Sequence, residues 1–122
     1  MVSAAGDIIA GSENRMQRDN DATAHAEILA IRQAISVLGT SRLMGCDLWV
    51  TLEPCAMCAG AISHARIRRL YFAASDEKGG AVEHGPCLFS QSTIHHKPDL
   101  FGGISEAPAA QLLRTFFATK RG

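Results

Sequence analysis

The sequence lacks an excess of charge of either sign: twelve Lys and Arg residues balance twelve Asp and Glu over 122 residues. Overall charge therefore supplies no attraction for a phosphate backbone or an anionic membrane, and any nucleic-acid contact must be made by local patches. Also missing is an apolar run of the eighteen or so residues that a membrane span requires, because charge or glycine interrupts every hydrophobic stretch. The N-terminus has no basic, apolar, small-residue leader, which sets the expectation of a cytoplasmic protein with no membrane partner. There is no internal repeat and no low-complexity tract. Cysteine is sparse, at positions 46, 55, 58 and 87. Without a leader the even count argues weakly for a disulfide framework. In a reducing compartment the close pair Cys55 and Cys58 reads instead as a metal clamp or a redox couple.

What is present is an ordinary globular composition, 47% apolar and 20% charged, in a length that suits one domain over residues 1–122. Residues 2–13 suggest a strand stub, a turn around Gly6 and a second strand, and residues 14–23 form a polar surface loop. Thr23 opens a helix, as its N-cap or next to it. Ile28, Ile31, Ile35 and Leu38 make the helix's apolar stripe, and Gly39 closes it. Residues 47–52 read as a buried strand that ends at Glu53-Pro54, since proline cannot donate to a ladder. A short helix over residues 56–65 and a strand over residues 68–74 follow. Residues 75–98 form a long irregular stretch of the kind that is usually functional. A short strand near residues 100–104 and a helix over residues 107–120, with Leu112, Leu113, Phe116 and Phe117 inward, complete the chain. Alternating strands and helices predict a layered α/β domain with helices on both faces, whose ligand site lies at the carboxyl ends of strands.

Two segments fall at that end. His25-Ala26-Glu27 sits in the first turn of one helix, and Pro54-Cys55-Ala56-Met57-Cys58 follows a strand and starts another. One imidazole and two thiolates make a three-ligand zinc site with a fourth tetrahedral position open to water, the arrangement of catalytic zinc. Water in such a position ionises near neutral pH. Helix N-termini favour thiolate over thiol, which lowers the cost of ionising Cys55 and Cys58. Glu27, two residues past His25, projects beside the metal and reaches the water rather than the ion, where a proton shuttle is needed. The combination H-x-E … P-C-x-x-C is the known signature of zinc nucleobase deaminases, with the glutamate as acid and base and not as a ligand.

More ordinary readings stand beside these. Taken alone, His25 is a satisfied histidine, Glu27 a solvated helix residue, and Cys55 with Cys58 a redox pair or half of a structural zinc knuckle. A knuckle needs a fourth protein ligand. Cys46 lies at the wrong end of its strand to supply it, whereas spacing does not exclude Cys87 in the long loop.

With Thr23-Ala24-His25-Ala26-Glu27-Ile28 and residues 51–62 in view, the chain resembles the bacterial tRNA-specific adenosine deaminases. Residues 65–67, 73–76, 78–81 and the His95-His96 stretch continue the likeness, which runs from Asn14 over nearly the whole chain. The resemblance implies a three-layer α/β/α cytidine-deaminase-like fold with a mixed central sheet. It also implies a homodimer with one zinc per subunit, and conversion of the wobble adenosine in a tRNA anticodon loop to inosine. Carried over by position, Asn14 would bond the flipped nucleotide, Ala74 and Asp76 would border the nucleic-acid groove, and His96 would flank it. Ordinary roles for three of these are a turn residue, a cap and a solvated loop residue respectively for Asn14, Asp76 and His96. Arg15, Arg18, Arg66, Arg68 and Arg69 either contact phosphates or belong to a solvated surface. Family members carry an N-terminal helix and a full first strand that this chain lacks, so one sheet face is expected to be less covered. The rival activity is deamination of a free base such as guanine or cytosine with the same metal residues. A zinc-binding subunit without turnover and a redox module are the readings from other classes.

Overall fold

The computed structural model describes residues 1–103. Helix α1 spans Ala26–Leu38, strand β1 Asp47–Leu52, helix α2 Ala56–His64, strand β2 Arg69–Ala74 and strand β3 Asp99–Gly102; a single 3-10 turn at Leu88–Ser90 interrupts the long stretch before β3. The strands form one sheet in the order β1-β2-β3, parallel throughout. The antiparallel component of the expected mixed sheet is reduced to isolated bridges of Val2 with Asp47 and with Ile8. The hairpin read in residues 2–13 thus exists as single bridges and not as two strands. The fold is an α/β layered one of the expected type. The helix expected over residues 107–120 and the end of the last strand, at Ile104, lie outside the described residues.

Alternation along the strands decides what the sheet buries. Leu48 and Val50 on β1 and Leu70 and Phe72 on β2 share one face and are buried. The opposite face carries a ladder of rings in register, Trp49 beside Tyr71 and Tyr71 beside Phe101, with centroids 3.7 Å and 4.8 Å apart. The core continues through Ile62 of α2, Ile67 and Leu43, all fully buried.

Helix α1 differs from its expected form in its start and in the residues it buries. It begins at Ala26, with His25 as N-cap, and not at Thr23. The reason is local: Asp21 takes both the backbone amide and the hydroxyl of Thr23, at 2.9 and 2.7 Å, so Thr23 is spent in a turn before the helix. Its buried residues are Ala30, Ile31 and Ala34, whereas Leu38 is exposed. Alanines weigh little in hydrophobic spacing, yet they let a helix approach its neighbours closely. Gly39 ends the helix as expected, in the left-handed region at φ 68°, its amide bonded to the carbonyl of Ile35. Among the described residues no helix is long and apolar enough to cross a membrane.

Phe72 tests the core assignment. With no solvent exposure, its replacement by alanine is expected to cost ~3–5 kcal/mol of stability in chemical denaturation. A loss below about 1 kcal/mol would show that the buried face is elsewhere.

Candidate functional site

The two helix starts meet. His25 is the N-cap of α1, Cys55 is the N-cap of α2, and Cys58 lies one turn further on. The Nδ1 atom of His25 stands 3.7 Å from Sγ of Cys55 and 3.5 Å from Sγ of Cys58. All three potential ligand atoms lie within 4.8 Å of one another. The positions follow from chain geometry: β1 delivers Pro54 and Cys55 to its carboxyl end, and the first turn of α2 returns Cys58 to the same point.

Nitrogen and sulfur donors in this number suit a borderline-soft divalent cation, so the residues fit a metal ion. Among the described residues no fourth His, Cys, Asp or Glu joins the group. Cys46 is fully buried at the other end of β1. Cys87 directs its thiol to the carbonyl of His84 at 3.6 Å. The knuckle reading therefore has no fourth ligand among the described residues. The expected lowering of the cysteine pKa values does not hold for Cys58. Burial pushes its thiol up, and the Glu27 carboxylate and Cys55 beside it push further. A cation bound there would favour the thiolate.

A cavity of about 600 Å³ opens against this group and is lined by Asn14, His25, Glu27, Trp49, Cys55 and Asp76 among others. Its volume is in the range of roughly 300–1,000 Å³ of small-molecule sites. Glu27 is outside the ligand group and on the cavity wall. Asn14 accepts the Met16 amide on its Oδ1 atom at 2.9 Å, which leaves its NH₂ group to donate to a ligand. Ala74 and His96 are not on this cavity. Ala74 is exposed at the end of β2 and its carbonyl accepts the Glu53 amide. His96 is tied down beside α2, its backbone amide donating to Ser63 Oγ at 3.0 Å and its Nε2 2.8 Å from the Ile67 carbonyl.

Four of the five arginines considered for phosphate contact are engaged within the chain. Arg15 grips Asp19, Arg18 lies 3.8 Å from Glu13, Arg68 forms a two-pronged pair with Asp47, and Arg66 donates to the His95 carbonyl. Arg69 is half-buried on β2.

Glu53 carries a role that the sequence reading did not assign. It is 3% exposed, and its Oε1 accepts the Asp76 amide and faces His84 Nδ1 at 2.9 Å. Its Oε2 accepts the amides of Val82, Glu83 and His84. Burial pushes this carboxyl up, but the His84 contact and the backbone donors outweigh it and bring it down to about 2. The His84 ring is raised by the same contact. The signal available in the sequence was a glutamate continuing a buried strand directly into Pro54, a place where a carboxylate must find donors.

A profile of the MafB19-like deaminases matches residues 1–121. The tRNA-specific adenosine deaminase of Agrobacterium fabrum is 60% identical over 116 residues, covering 95% of this chain and 76% of the relative. Among solved structures, one from a study of A-to-I editing by tRNA:A34 deaminases at the wobble position of transfer RNA aligns with TM-score 0.79 and 62% identity, over 80% of this chain and 75% of that one. The guanine deaminase of Bacillus subtilis aligns with TM-score 0.59 and 32% identity, over 96% of this chain and 74% of that one.

The ionised Glu53 generates a pH dependence. Its folded pKa lies below the ordinary value of 4.5, so its contribution to stability is complete above that value and is lost as pH falls towards about 2. Acid unfolding of Glu53→Gln should show a shallower loss of stability across this window than the wild-type chain; parallel curves would contradict the assignment.

Proposed function

The chain belongs to the MafB19-like deaminases and, among them, to the tRNA-specific adenosine deaminases, and on that premise we propose that it hydrolyses the wobble adenosine of a tRNA to inosine. The observation that carries the reading is the gathering of His25, Cys55 and Cys58 at one point, with His25 and Cys55 on the wall of a cavity that Glu27 also lines. His25, Cys55 and Cys58 would hold one zinc per subunit, which supplies the Lewis acidity that makes water a nucleophile at neutral pH.

Glu27 then does the proton work. It takes one proton from the attacking water and passes it to the ring nitrogen, then takes the second from the hydroxyl now on C6 and passes it to the amine, so that the C6–N bond breaks, ammonia leaves and a carbonyl remains. The adenine must be out of any stack to enter the cavity, which suits an unpaired anticodon loop. The NH₂ group of Asn14 and the presence of Asp76 on the cavity wall support their roles as substrate contacts. Ala74, near the same strand end, and His96 belong to the outer groove in this reading.

The proposal includes a single catalytic domain, a cytoplasmic location and a homodimer. Exposed Leu52 and Met57, next to the ligand segment, offer apolar surface for the last. The second reading is deamination of free guanine, favoured by the likeness to the guanine deaminase fold. The higher identity to tRNA-specific relatives favours the first.

Base-resolved inosine detection on an anticodon stem-loop, run beside free guanine and cytosine, separates the two. Product from the stem-loop is expected; product from free bases alone would overturn the choice. Glu27→Ala is expected to keep its zinc and lose activity by about 10²–10⁴-fold or more, and near-normal turnover would remove its catalytic role. Cys58→Ser is expected to lose zinc and activity together, as read by metal analysis of the purified protein. Full zinc content in that variant would contradict its assignment as a ligand.

A further inference from the structure

The long segment after β2 is irregular, yet one side chain ties together four of its first ten residues. The carboxylate of Glu53 meets the backbone amides of Asp76, Val82, Glu83 and His84 at 2.9–3.2 Å, and the His84 ring as well. The backbone adds two more links at the same place: the Glu53 amide donates to the Ala74 carbonyl, and the Ala81 amide donates to the Pro54 carbonyl. Asp76 in turn accepts the amides of Lys78 and Gly79 on its Oδ1. Gly80 sits against this knot, and a Cβ there would clash with the Glu53 carboxylate and with the Asp76 carbonyl oxygen. The knot joins the segment that carries Cys55 to the segment that carries Asp76, and both line the cavity.

We infer that Glu53 is a positioning residue for substrate binding: by holding the backbone of residues 76–84 against the metal-ligand segment, it sets where Asp76 stands on the cavity wall. The inference rests on the deaminase reading for its substrate. A buried carboxylate is suited to the task because it offers about four acceptor sites in one plane and donates nothing. Backbone amides make the recognition independent of side-chain identity in the loop. An irregular segment that lacks a ladder of its own is thereby given one fixed anchor.

Glu53→Gln separates the two ends of the knot. Its amide oxygen satisfies most donors when turned to the amides of Val82, Glu83 and His84. The NH₂ group then replaces Oε1, donating to His84 Nδ1 but facing the Asp76 N–H without accepting it. The anchor at Asp76 is lost while the other three persist. Amide hydrogen exchange in the zinc-loaded full chain should accelerate at Asp76 by about tenfold or more, with Val82 and Glu83 little changed, which is the loss of one charge-assisted bond. With an anticodon stem-loop, KM should rise about tenfold while kcat stays within about threefold and zinc content is unchanged.

A fall in kcat with KM unchanged, or loss of zinc, would assign Glu53 to the chemistry or to the metal segment and overturn the inference. Unaltered exchange at Asp76 would overturn it as well. If Glu53→Gln does not fold, His84→Ala reads the same knot from its half-exposed side, with a KM increase of about threefold expected at constant kcat; an unchanged KM would overturn the inference. Should the wild-type chain leave the stem-loop unmodified, the deaminase reading fails, and the exchange data alone decide whether Glu53 holds Asp76.

Discussion

Two helix N-termini from different parts of the chain are brought to the carboxyl end of β1, one ending in an imidazole and the other in a pair of thiols. Each terminus arises for its own local reason. Asp21 consumes Thr23 and delays α1 until His25 stands at its cap. Pro54 cannot continue the ladder, which stops β1 and leaves Cys55 at the cap of α2. The packing of both helices and the buried face of β1 and β2 then brings these ends within ligand distance of one another. Everything proposed for the site depends on that convergence, because none of the three side chains is distinctive alone.

The electrostatics of the place leave room for a cation. Cys58 is buried among Cys55, Glu27 and His25, and burial with its acidic neighbours disfavours its thiolate. Glu53, only two residues before Cys55, shows the opposite solution to a buried anion. It is stabilised by backbone amides and one ring contact, with no metal needed. Two neighbouring anionic centres are thus kept distinct by their donors. One is open to an ion and faces the cavity through Cys55; the other is saturated and serves the loop.

Much of this was legible in the residues. Strand β1 and helix α2 fall where alternation and Pro54 put them, and Gly39 ends α1 as its freedom at positive φ allows. The meeting of His25, Cys55 and Cys58, with Glu27 outside the group on the cavity wall, was legible because their spacing is chemical, a property that survives errors of a residue or two in helix boundaries. What was missed depends on contacts distant in sequence. The start of α1 turned on a side-chain bond to Asp21, and the hairpin expected at residues 2–13 is reduced to single bridges. Glu53 is read from the sequence as part of a motif, but its purpose appears only when residues 76–84 fold back over it. His96, which the resemblance set beside the substrate groove, bonds Ser63 and Ile67 and does not line the cavity.

The most direct test is X-ray absorption at the metal edge of the protein loaded with zinc. The account requires two sulfur neighbours at about 2.3 Å and light-atom neighbours at about 2.0–2.1 Å, including one imidazole. Three or four sulfurs, or two imidazoles, would mean that a further side chain closes the site, and the hydrolytic reading would fall with it.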